Sequence, residues 1–247
     1  MNRSPLLERF YPESRFGGFT DIDGTIHFYL RVNALLHAAG VVLDFGCGRG
    51  QDVGDGNPTR QQLSRLRGKV ARVIGMDVDR ACAGNPLLDE FRLLDGGPHW
   101  PAEDRSISLI LCDNVLEHLP EPRMFFREAQ RILKPGGYIC IRTPNLFSYL
   151  GLATRVIPNS LHTRVLSQVQ KNRKKEDVFP TLYRCNTVFC IRRMMRKHGF
   201  NGVAYGYEPE PTYLDFSSVT FWLGTMHQKF APRALAPMIL AFGVKSL

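Results

Sequence analysis

The stretch from Val41 to Gly50 reads VVLDFGCGRG and decides the fold of this chain. Its first half is a short apolar run typical of a buried strand, and its second half places glycines at alternate positions. Such glycines let the backbone turn sharply and let a ligand approach main-chain N–H groups closely. The spacing D-x-G-x-G-x-G differs from the dinucleotide fingerprint G-x-G-x-x-G, and no G-K-[S/T] follows as in a P-loop. The stretch therefore predicts a strand that ends in a ligand-binding turn.

Strand-like and helix-like segments alternate around this stretch. Strands are predicted at 41–45, 70–77, 91–95, 107–112 and 138–142, and helices at 25–39, 60–66 and 122–133. Further along, a helix is predicted at 186–198, with final strands at 202–207 and 219–223. This alternation is typical of βαβ units. We therefore expect an α/β fold with a Rossmann-like, doubly wound and mostly parallel sheet.

The composition is that of a globular chain. Of 247 residues, 44% are hydrophobic and 22% are charged, which excludes a wholly disordered protein. No apolar run reaches the roughly 18–20 residues of a membrane-spanning helix, and the N-terminus lacks the apolar core of a signal peptide. The apolar stretch 231–244 either docks on the domain or lies on a membrane surface. Six cysteines without a C-x-x-C pair indicate reduced thiols, so we expect a cytoplasmic location and no metal site.

The positive charge is concentrated in one part of the chain. The net charge is +9, but residues 123–200 hold 16 Lys and Arg against three Asp and Glu, so this region carries +13 and the remainder −4. Such a block indicates an anionic partner, which could be a phosphorylated substrate, a nucleic acid or a membrane surface. The alternative is a solvated basic face. The long basic stretch 145–180 interrupts the strand–helix rhythm and indicates a functional insertion.

Four further segments follow the glycine turn in a family-specific order. They are VIGMDV at 73–78, LLD at 93–95, ILCDNVLEHL at 110–119 and RILKPGGY at 131–138. Together with 42–50, they resemble the motifs of the class I S-adenosylmethionine (SAM)-dependent methyltransferases, in particular the type 11 and ubiquinone-biosynthesis-like group. The resemblance covers roughly residues 40–145 and implies a sheet of seven strands. On this basis 1–40 form an N-terminal cap segment and helix, and 41–247 form the methyltransferase domain, with 146–185 as a lid or substrate-recognition insertion.

The resemblance also implies the contacts to SAM. Asp77, which ends the second strand, would accept both ribose hydroxyls, because a carboxylate can make a two-point charge-assisted contact. Asp95 would lie near the adenine amino group, and Asp44 would hold the loop and the methionine amino group. The predicted cofactor residues are Asp44, Gly46, Cys47, Gly48, Asp77, Val78, Asp95, Cys112 and Asn114. The alternatives are a helix N-cap for Asp77 and a turn cap for Asp95.

Methyl transfer requires mainly the alignment of nucleophile, methyl group and sulfur, together with exclusion of water. A general base is needed only when the acceptor is a hydroxyl or a protonated amine. His118 is the first candidate base and Asp113 the second, because both follow the fourth strand. The alternative for His118 is a residue that packs at a helix start. In or beside the insertion, His162, Tyr183 and Arg184 are candidate acceptor contacts.

The segment from Asp21 to Thr25 reads DIDGT, like the nucleophile loop of haloacid-dehalogenase-like phosphatases. That loop should follow an apolar strand, and the residues before it, RFGGFT at 15–20, form no such strand. We therefore favour a helix N-terminus that Asp23 or Thr25 caps. This segment would fold over the SAM cavity.

The acceptor is open at this level. We expect a small-molecule, glycan or lipid-linked acceptor, with anionic character and O-methylation favoured. A nucleic-acid methyltransferase using the basic 123–200 region is the second hypothesis, although no [D/N]-P-P-[Y/F] motif or separate RNA-binding module is present. The third is a SAM-binding protein without catalysis, or one with a peripheral contact to the inner membrane surface. The oligomeric state is undetermined by the sequence.

Overall fold

A computed structural model describes residues 5–50, 56–149, 151–152 and 180–246 of the chain. Its helices are α1 (Pro5–Phe10), α2 (Gly24–Ala34), α3 (Pro58–Ser64), α4 (Pro122–Ile132), α5 (Val188–Lys197) and α6 (Ser218–Phe230). Its strands are β1 (Val41–Phe45), β2 (Arg72–Asp77), β3 (Glu90–Leu93), β4 (Ile107–Asp113), β5 (Leu133–Pro144), β6 (Phe200–Tyr207) and β7 (Met238–Lys245). The first five strands match the predicted ones apart from shifts at their ends.

Within the described residues, one seven-stranded sheet has the order β3-β2-β1-β4-β5-β7-β6. β1 pairs in parallel with β2 and β4, and β4 pairs in parallel with β5, whereas β7 runs antiparallel between β5 and β6. The register sets Phe45 beside Cys112 and Asp113 beside Arg142. The carboxyl ends of the central strands therefore meet at one edge. The predicted mostly parallel, doubly wound sheet is confirmed.

Both faces of the sheet are covered, as the near-continuous apolar strands require. Successive strand residues point to opposite faces. Accordingly, Leu43 belongs to one core cluster, with Phe126 of α4 and Met195 of α5. Its neighbour Val42 belongs to a second cluster, with Phe28 of α2. The two clusters hold the strand ends, and the side chains that follow them, in fixed positions.

The prediction of a strand at 219–223 is wrong, because these residues lie in α6. Ser217 caps this helix: its Oγ accepts a hydrogen bond from the backbone N–H of Thr220 at 3.1 Å. The β-branched and aromatic residues of this run favour a strand, but burial of Phe221 and Thr225 at helical spacing overrides that preference. The last strand, β7, comes from the apolar stretch 231–244, which therefore docks on the domain as an inner strand of the sheet.

The DIDGT segment caps a helix, as favoured. Asp23 Oδ1 accepts hydrogen bonds from the backbone N–H groups of Thr25 at 3.0 Å and Ile26 at 2.9 Å, and these start α2. Its other oxygen accepts from Arg60 Nε at 2.7 Å. Asp23, the second aspartate of the segment, is thus buried and paired as a helix cap. Asp21, the first aspartate and the nucleophile position of a phosphatase loop, is exposed in a turn, and no strand precedes it among the described residues.

The predicted basic insertion is described only at its ends. Residues 146–149, 151–152 and 180–185 lie within the described part of the chain, and 150 and 153–179 lie outside it. The lid or recognition role of 146–185 therefore stays a prediction, as does the basic character of the insertion as a structural unit. Among the described helices, none combines the length and apolarity needed to cross a membrane.

Candidate active site

A cavity of about 410 Å³ opens at the carboxyl edge of the sheet. Ligands of open α/β sheets bind at this edge, outside the ends of parallel strands. The predicted residues among its lining are Asp44, Gly46, Cys47, Gly48, Asp77, Val78, Asp113, Asn114 and His118. One cavity therefore gathers most of the predicted cofactor and catalytic residues.

The glycine loop forms one wall of the cavity. Gly46 has a φ of +73°, and a Cβ at this position would fall inside the side chain of Val115. Gly48 has a φ of +56°, and a Cβ there would meet no atom within 4 Å. The first glycine is thus required by packing within the protein. The second leaves open space on the cavity side, where a ligand can approach the backbone.

Asp77 lies opposite this loop at the end of β2. Its Oδ2 accepts a hydrogen bond from Gly48 N at 3.1 Å, and its Oδ1 accepts from Asp79 N at 3.0 Å. Each carboxylate oxygen can accept about two hydrogen bonds, so one position remains on each. The following turn, Arg80–Gly84, is capped by Asp79 through Ala81 N, which assigns the capping role to Asp79 and not to Asp77. Asp77 is thus placed to accept two ligand hydroxyls.

Two predicted cofactor residues do not line the cavity. Asp95 Oδ1 accepts a hydrogen bond from Gly97 N at 2.9 Å, which is the turn-capping alternative, and the adjacent Leu94 lines the cavity instead. The Cys112 side chain is fully buried in the core beneath the cavity. As placed in the structure, the side chains of Asp95 and Cys112 therefore do not contact a ligand in this cavity.

Asp113 is held by an ion pair. Arg142 Nε lies 2.6 Å from its Oδ1, and Arg142 Nη2 lies 2.6 Å from its Oδ2. Tyr29 Oη donates to Oδ2 at 3.0 Å, and Asn114 Nδ2 donates to Oδ1 at 2.9 Å. The carboxylate therefore accepts four hydrogen bonds, which fills its usual capacity. This saturation argues against Asp113 as the general base and gives it a positioning role.

His118 ends a short 3-10 turn after β4 and lines the cavity. Its Nδ1 lies 3.0 Å from the carbonyl oxygen of Pro180, and its Nε2 lies 3.8 Å from Oε1 of the buried Glu117. A carbonyl oxygen only accepts, so Nδ1 carries the proton, and in the neutral ring the lone pair is on Nε2. The contact with Pro180 therefore favours the tautomer that a general base acting through Nε2 requires.

The predicted acceptor residues lie apart from the cavity or beyond the described chain. Tyr183 adopts a φ of +51° and its backbone N–H donates to the Glu117 carbonyl oxygen at 3.1 Å. Arg184 is exposed at the surface, and neither side chain lines the cavity. His162 lies outside the described residues. Residues 180–183 nevertheless lie next to the site. The Pro180 carbonyl oxygen contacts His118, and Tyr183 N–H donates to the carbonyl oxygen of Glu117, the neighbour of His118 in the chain.

Sequence reasoning missed three residues of the site: Tyr29, Asn85 and Arg142. Tyr29 and Arg142 line the cavity and bind Asp113, and Asn85 Nδ2 donates to the carbonyl oxygens of Cys47 at 3.0 Å and Gly48 at 3.1 Å. Arg142 could have been found from strand register, since it lies in β5 directly beside Asp113. No local signal marks Asn85, which stabilises the glycine loop from a distant turn.

The thiols in the cavity are poor nucleophiles. Burial and the nearby Asp44 carboxylate raise the pKa of Cys47, and burial raises the pKa of Cys82 to about 12. Both groups therefore stay protonated near neutral pH. Among the described residues, no group of three His, Cys, Asp or Glu side chains is arranged to hold a metal ion.

Comparisons with known proteins define the class of this fold and site. A family model described as a methyltransferase domain matches residues 20–205. The chain is 31% identical over 136 residues to a probable SAM-dependent methyltransferase of Mycolicibacterium smegmatis, which covers 52% of this chain and 47% of that protein. It is 27% identical over 170 residues to the ubiquinone biosynthesis O-methyltransferase of Pseudomonas aeruginosa, covering 61% and 67%.

The fold comparison agrees with the family match. A crystal structure of a SAM-dependent methyltransferase from Thermotoga maritima superimposes with a TM-score of 0.54 at 16% identity, over 98% of this chain and 99% of that one. The chain belongs to the methyltransferase-domain family, whose class I members use SAM. It spans about half the length of several curated relatives that it matches.

The residues present fit SAM. The open space at Gly48 admits a ligand against the backbone, and Asp77 has acceptor capacity for a ribose. Asp44 also faces the cavity and supplies a carboxylate toward a cationic amino-acid group. The predicted cofactor is thus supported by the family and by the chemistry of the cavity, although Asp95 and Cys112 are not part of its lining.

Proposed function

We propose that this chain transfers the methyl group of SAM to a hydroxyl oxygen of a small-molecule, glycan or lipid-linked acceptor. The observation that carries this proposal is the orientation of His118 in the cofactor cavity, where Nδ1 faces the Pro180 carbonyl oxygen at 3.0 Å. In the tautomer that this contact favours, the lone pair of Nε2 can accept a proton. A hydroxyl is a weak methyl acceptor until it loses its proton, so a base in this tautomer suits O-methylation.

Each residue of the site has a role in this chemistry. Bound SAM supplies a methyl group activated by its sulfonium, and its transfer leaves S-adenosylhomocysteine. Asp77 and the backbone at Gly48 would bind and orient the nucleoside part. The Arg142–Asp113 pair fixes Tyr29 of α2 over the cavity and would help to exclude water. His118 Nε2 would take the proton of the acceptor hydroxyl, and the Glu117 carboxylate, 3.8 Å away, would stabilise the resulting imidazolium.

The names of the matched relatives support the same reaction type. Several of them are called ubiquinone biosynthesis O-methyltransferases, at 26–29% identity. The acceptors of those relatives are not assigned to this chain. For this chain, the names favour a hydroxyl acceptor over an amine or a carbon acceptor.

A nucleic-acid acceptor is the second candidate. It is favoured by exposed cations on α4 and α5, namely Arg123, Arg193, Arg196 and Lys197, which have no acidic partner among the described residues. Against it, Arg131 and Arg142, which also belong to the basic region, are engaged with Glu128 and Asp113. RNA or DNA binding that weakens steeply with salt would support this candidate.

The first experiment is titration calorimetry with SAM and with S-adenosylhomocysteine. Binding of both is expected, and it should be followed by transfer of labelled methyl groups to phenols, hydroxylated glycans and lipid quinols. If the chain binds neither compound, the proposed methyl transfer is contradicted and a non-catalytic role is favoured. The His118→Gln variant should lower turnover by roughly 10²–10⁴ while leaving SAM affinity unchanged. Equal losses of turnover and affinity would give His118 a structural role, and the exposed His37→Gln variant serves as the matched control.

A further inference from the structure

Helix α6 presents an apolar stripe to solvent. The stripe consists of Val219, Trp222, Leu223, Met226 and Phe230, which recur at helical spacing on one side of the helix. Val219 is 67% exposed, Trp222 49% and Phe230 79%. A helix at a protein surface normally turns charged and polar residues outward. This outward apolar face is therefore unfavourable in water unless another surface covers it.

The opposite face of α6 packs against the rest of the protein. Phe221 packs against Phe10 with ring centroids 5.1 Å apart, and Gln228 Oε1 accepts a hydrogen bond from Tyr11 Oη at 3.0 Å. His227 Nδ1 lies 3.0 Å from Glu208 Oε1, just beyond the end of β6. The helix is thus fixed in rotation. Its apolar stripe cannot turn inward without breaking these contacts.

The charge around the stripe selects the kind of surface that fits it. Residues 216–235, which follow the exposed Asp215, contain no Asp or Glu. They contain Lys229 in the last turn of α6 and Arg233 in the 3-10 turn after it. Both cations are exposed and have no acidic partner among the described residues. The exposed Phe216 lies just before the helix. Aromatic and aliphatic residues beside unpaired Lys and Arg are typical of helices at the interface of anionic membranes, whereas protein interfaces are depleted in Lys.

The stripe also lies on the functional side of the molecule. α6 connects the end of β6 to the start of β7, and β7 begins beside Pro144, which ends β5. Asn145 Nδ2 ties the next segment to this connection by donating to the Ala234 and Ala236 carbonyl oxygens at 2.8 and 2.9 Å. On this segment Phe147 is exposed as well. The apolar surface therefore lies at the same sheet edge as the SAM cavity.

We propose that the outward face of α6, from Val219 to Phe230, docks on the surface of a bilayer that contains anionic lipids. The aromatic and aliphatic side chains would enter the headgroup region, and Lys229 and Arg233 would contact lipid phosphates. The docking itself is independent of the acceptor. Its consequence, that a lipid acceptor reaches the site from the bilayer, rests on the function proposed above.

Vesicle flotation of the full chain tests the docking. The probes are vesicles of phosphatidylcholine alone and of phosphatidylcholine mixed equally with phosphatidylglycerol. The native chain should float with the mixed vesicles. Val219→Glu should reduce the bound fraction at least about tenfold, because it removes an apolar side chain that would enter the headgroup region and adds a charge that anionic lipids repel. Val203→Glu is the matched control: Val203 is 55% exposed on β6, away from the stripe, and should leave flotation unchanged.

Two further measurements test whether the stripe and its neighbouring cations themselves contact the vesicles. The emission of Trp222 should move to shorter wavelength when mixed vesicles are added, and Trp222→Phe should abolish this shift, since Trp100 is already buried. Exchange of both cations, in Lys229→Glu with Arg233→Glu, should remove the preference for phosphatidylglycerol. Calorimetry with S-adenosylhomocysteine on each variant confirms an intact cofactor cavity and separates this proposal from the proposed function.

Three outcomes overturn the docking proposal. The native chain could stay with the unbound fraction at both lipid compositions while it binds S-adenosylhomocysteine. Val219→Glu could convert a dimer to a monomer in sedimentation without any vesicle binding, which would make the stripe an interface between copies. Trp222 could already be shielded from a soluble quencher in the absence of vesicles, which would show that the chain itself covers the stripe.

Discussion

Arg142 and Asp113 form a two-point ion pair at the ends of neighbouring strands, with both N–O distances at 2.6 Å. Arg142 Nη1 also donates to Thr25 Oγ1 at 2.9 Å, and its guanidinium lies 5.2 Å from the centre of the Phe28 ring. One arginine thus connects β4, β5 and helix α2. The pair therefore joins α2 to the cavity that holds the predicted SAM-binding residues.

Removal of this arginine should destabilise the protein. The two side chains are only 13% and 14% exposed, so Arg142→Ala would leave Asp113 buried without its cation. Loss of one partner of a buried pair costs about 3–5 kcal/mol. The free energy of unfolding from urea titration should fall by this amount, and SAM affinity should fall with it as Tyr29 loses its support. Arg193→Ala removes an exposed arginine and should change neither quantity.

Asp77 and Asp95 should respond differently to the same substitution. Asp77→Ala is expected to weaken SAM binding by about 1.5–3 kcal/mol, the usual value for a hydrogen bond to a charged group. Asp95→Ala should leave the affinity nearly unchanged, because the Asp95 carboxylate binds Gly97 N and does not line the cavity. Calorimetry with SAM measures both. A large loss at Asp95 would restore its predicted contact with adenine.

Substitutions at the two loop glycines should affect different quantities, stability at Gly46 and SAM affinity at Gly48. Gly46→Ala places a Cβ inside the Val115 side chain, so the main effect should be a loss of stability. Gly48→Ala finds open space in the protein, and its left-handed backbone costs only about 1–2 kcal/mol. Because Gly48 lines the cavity, the added methyl group should take space from the ligand, so SAM affinity should fall while the chain remains folded. Circular dichroism and calorimetry, measured on both variants, would contradict this account if the order were reversed.

Glu210 should make stability depend on pH. Burial, reinforced by the Asp23 carboxylate, raises the pKa of Glu210 from 4.5 to about 7. The folded chain therefore holds this proton more tightly than the unfolded chain. The contribution is fully present below about pH 4.5 and is lost as the pH rises toward 7, by up to roughly 3 kcal/mol.

Urea unfolding at pH 5 and pH 8 tests this dependence. The native chain should lose more stability between these values than Glu210→Gln, in which the titrating group is absent. Equal differences in the two proteins would show that Glu210 titrates normally in the folded state.

Much of the site could be predicted from local signals. The apolar run before Gly46, the acid that ends β2 and the turn after β4 each lie within a few residues of their strand, so strand order places them at one edge. The role of Asp95 was less secure, because an aspartate in a turn can cap the backbone as readily as it binds a ligand. The structure shows the cap.

The sequence by itself determined the parallel strands, the glycine turn and the family, because each of these depends on residues that are neighbours in the chain. Only the tertiary structure decided the rest. Arg142 meets Asp113 across 29 positions, and Asn85 supports Cys47 across 38. The run at 219–223 is a helix because β7 occupies the place between β5 and β6 and because Phe221 packs against Phe10 of α1. Such contacts depend on the packing of distant elements, which local propensity does not contain.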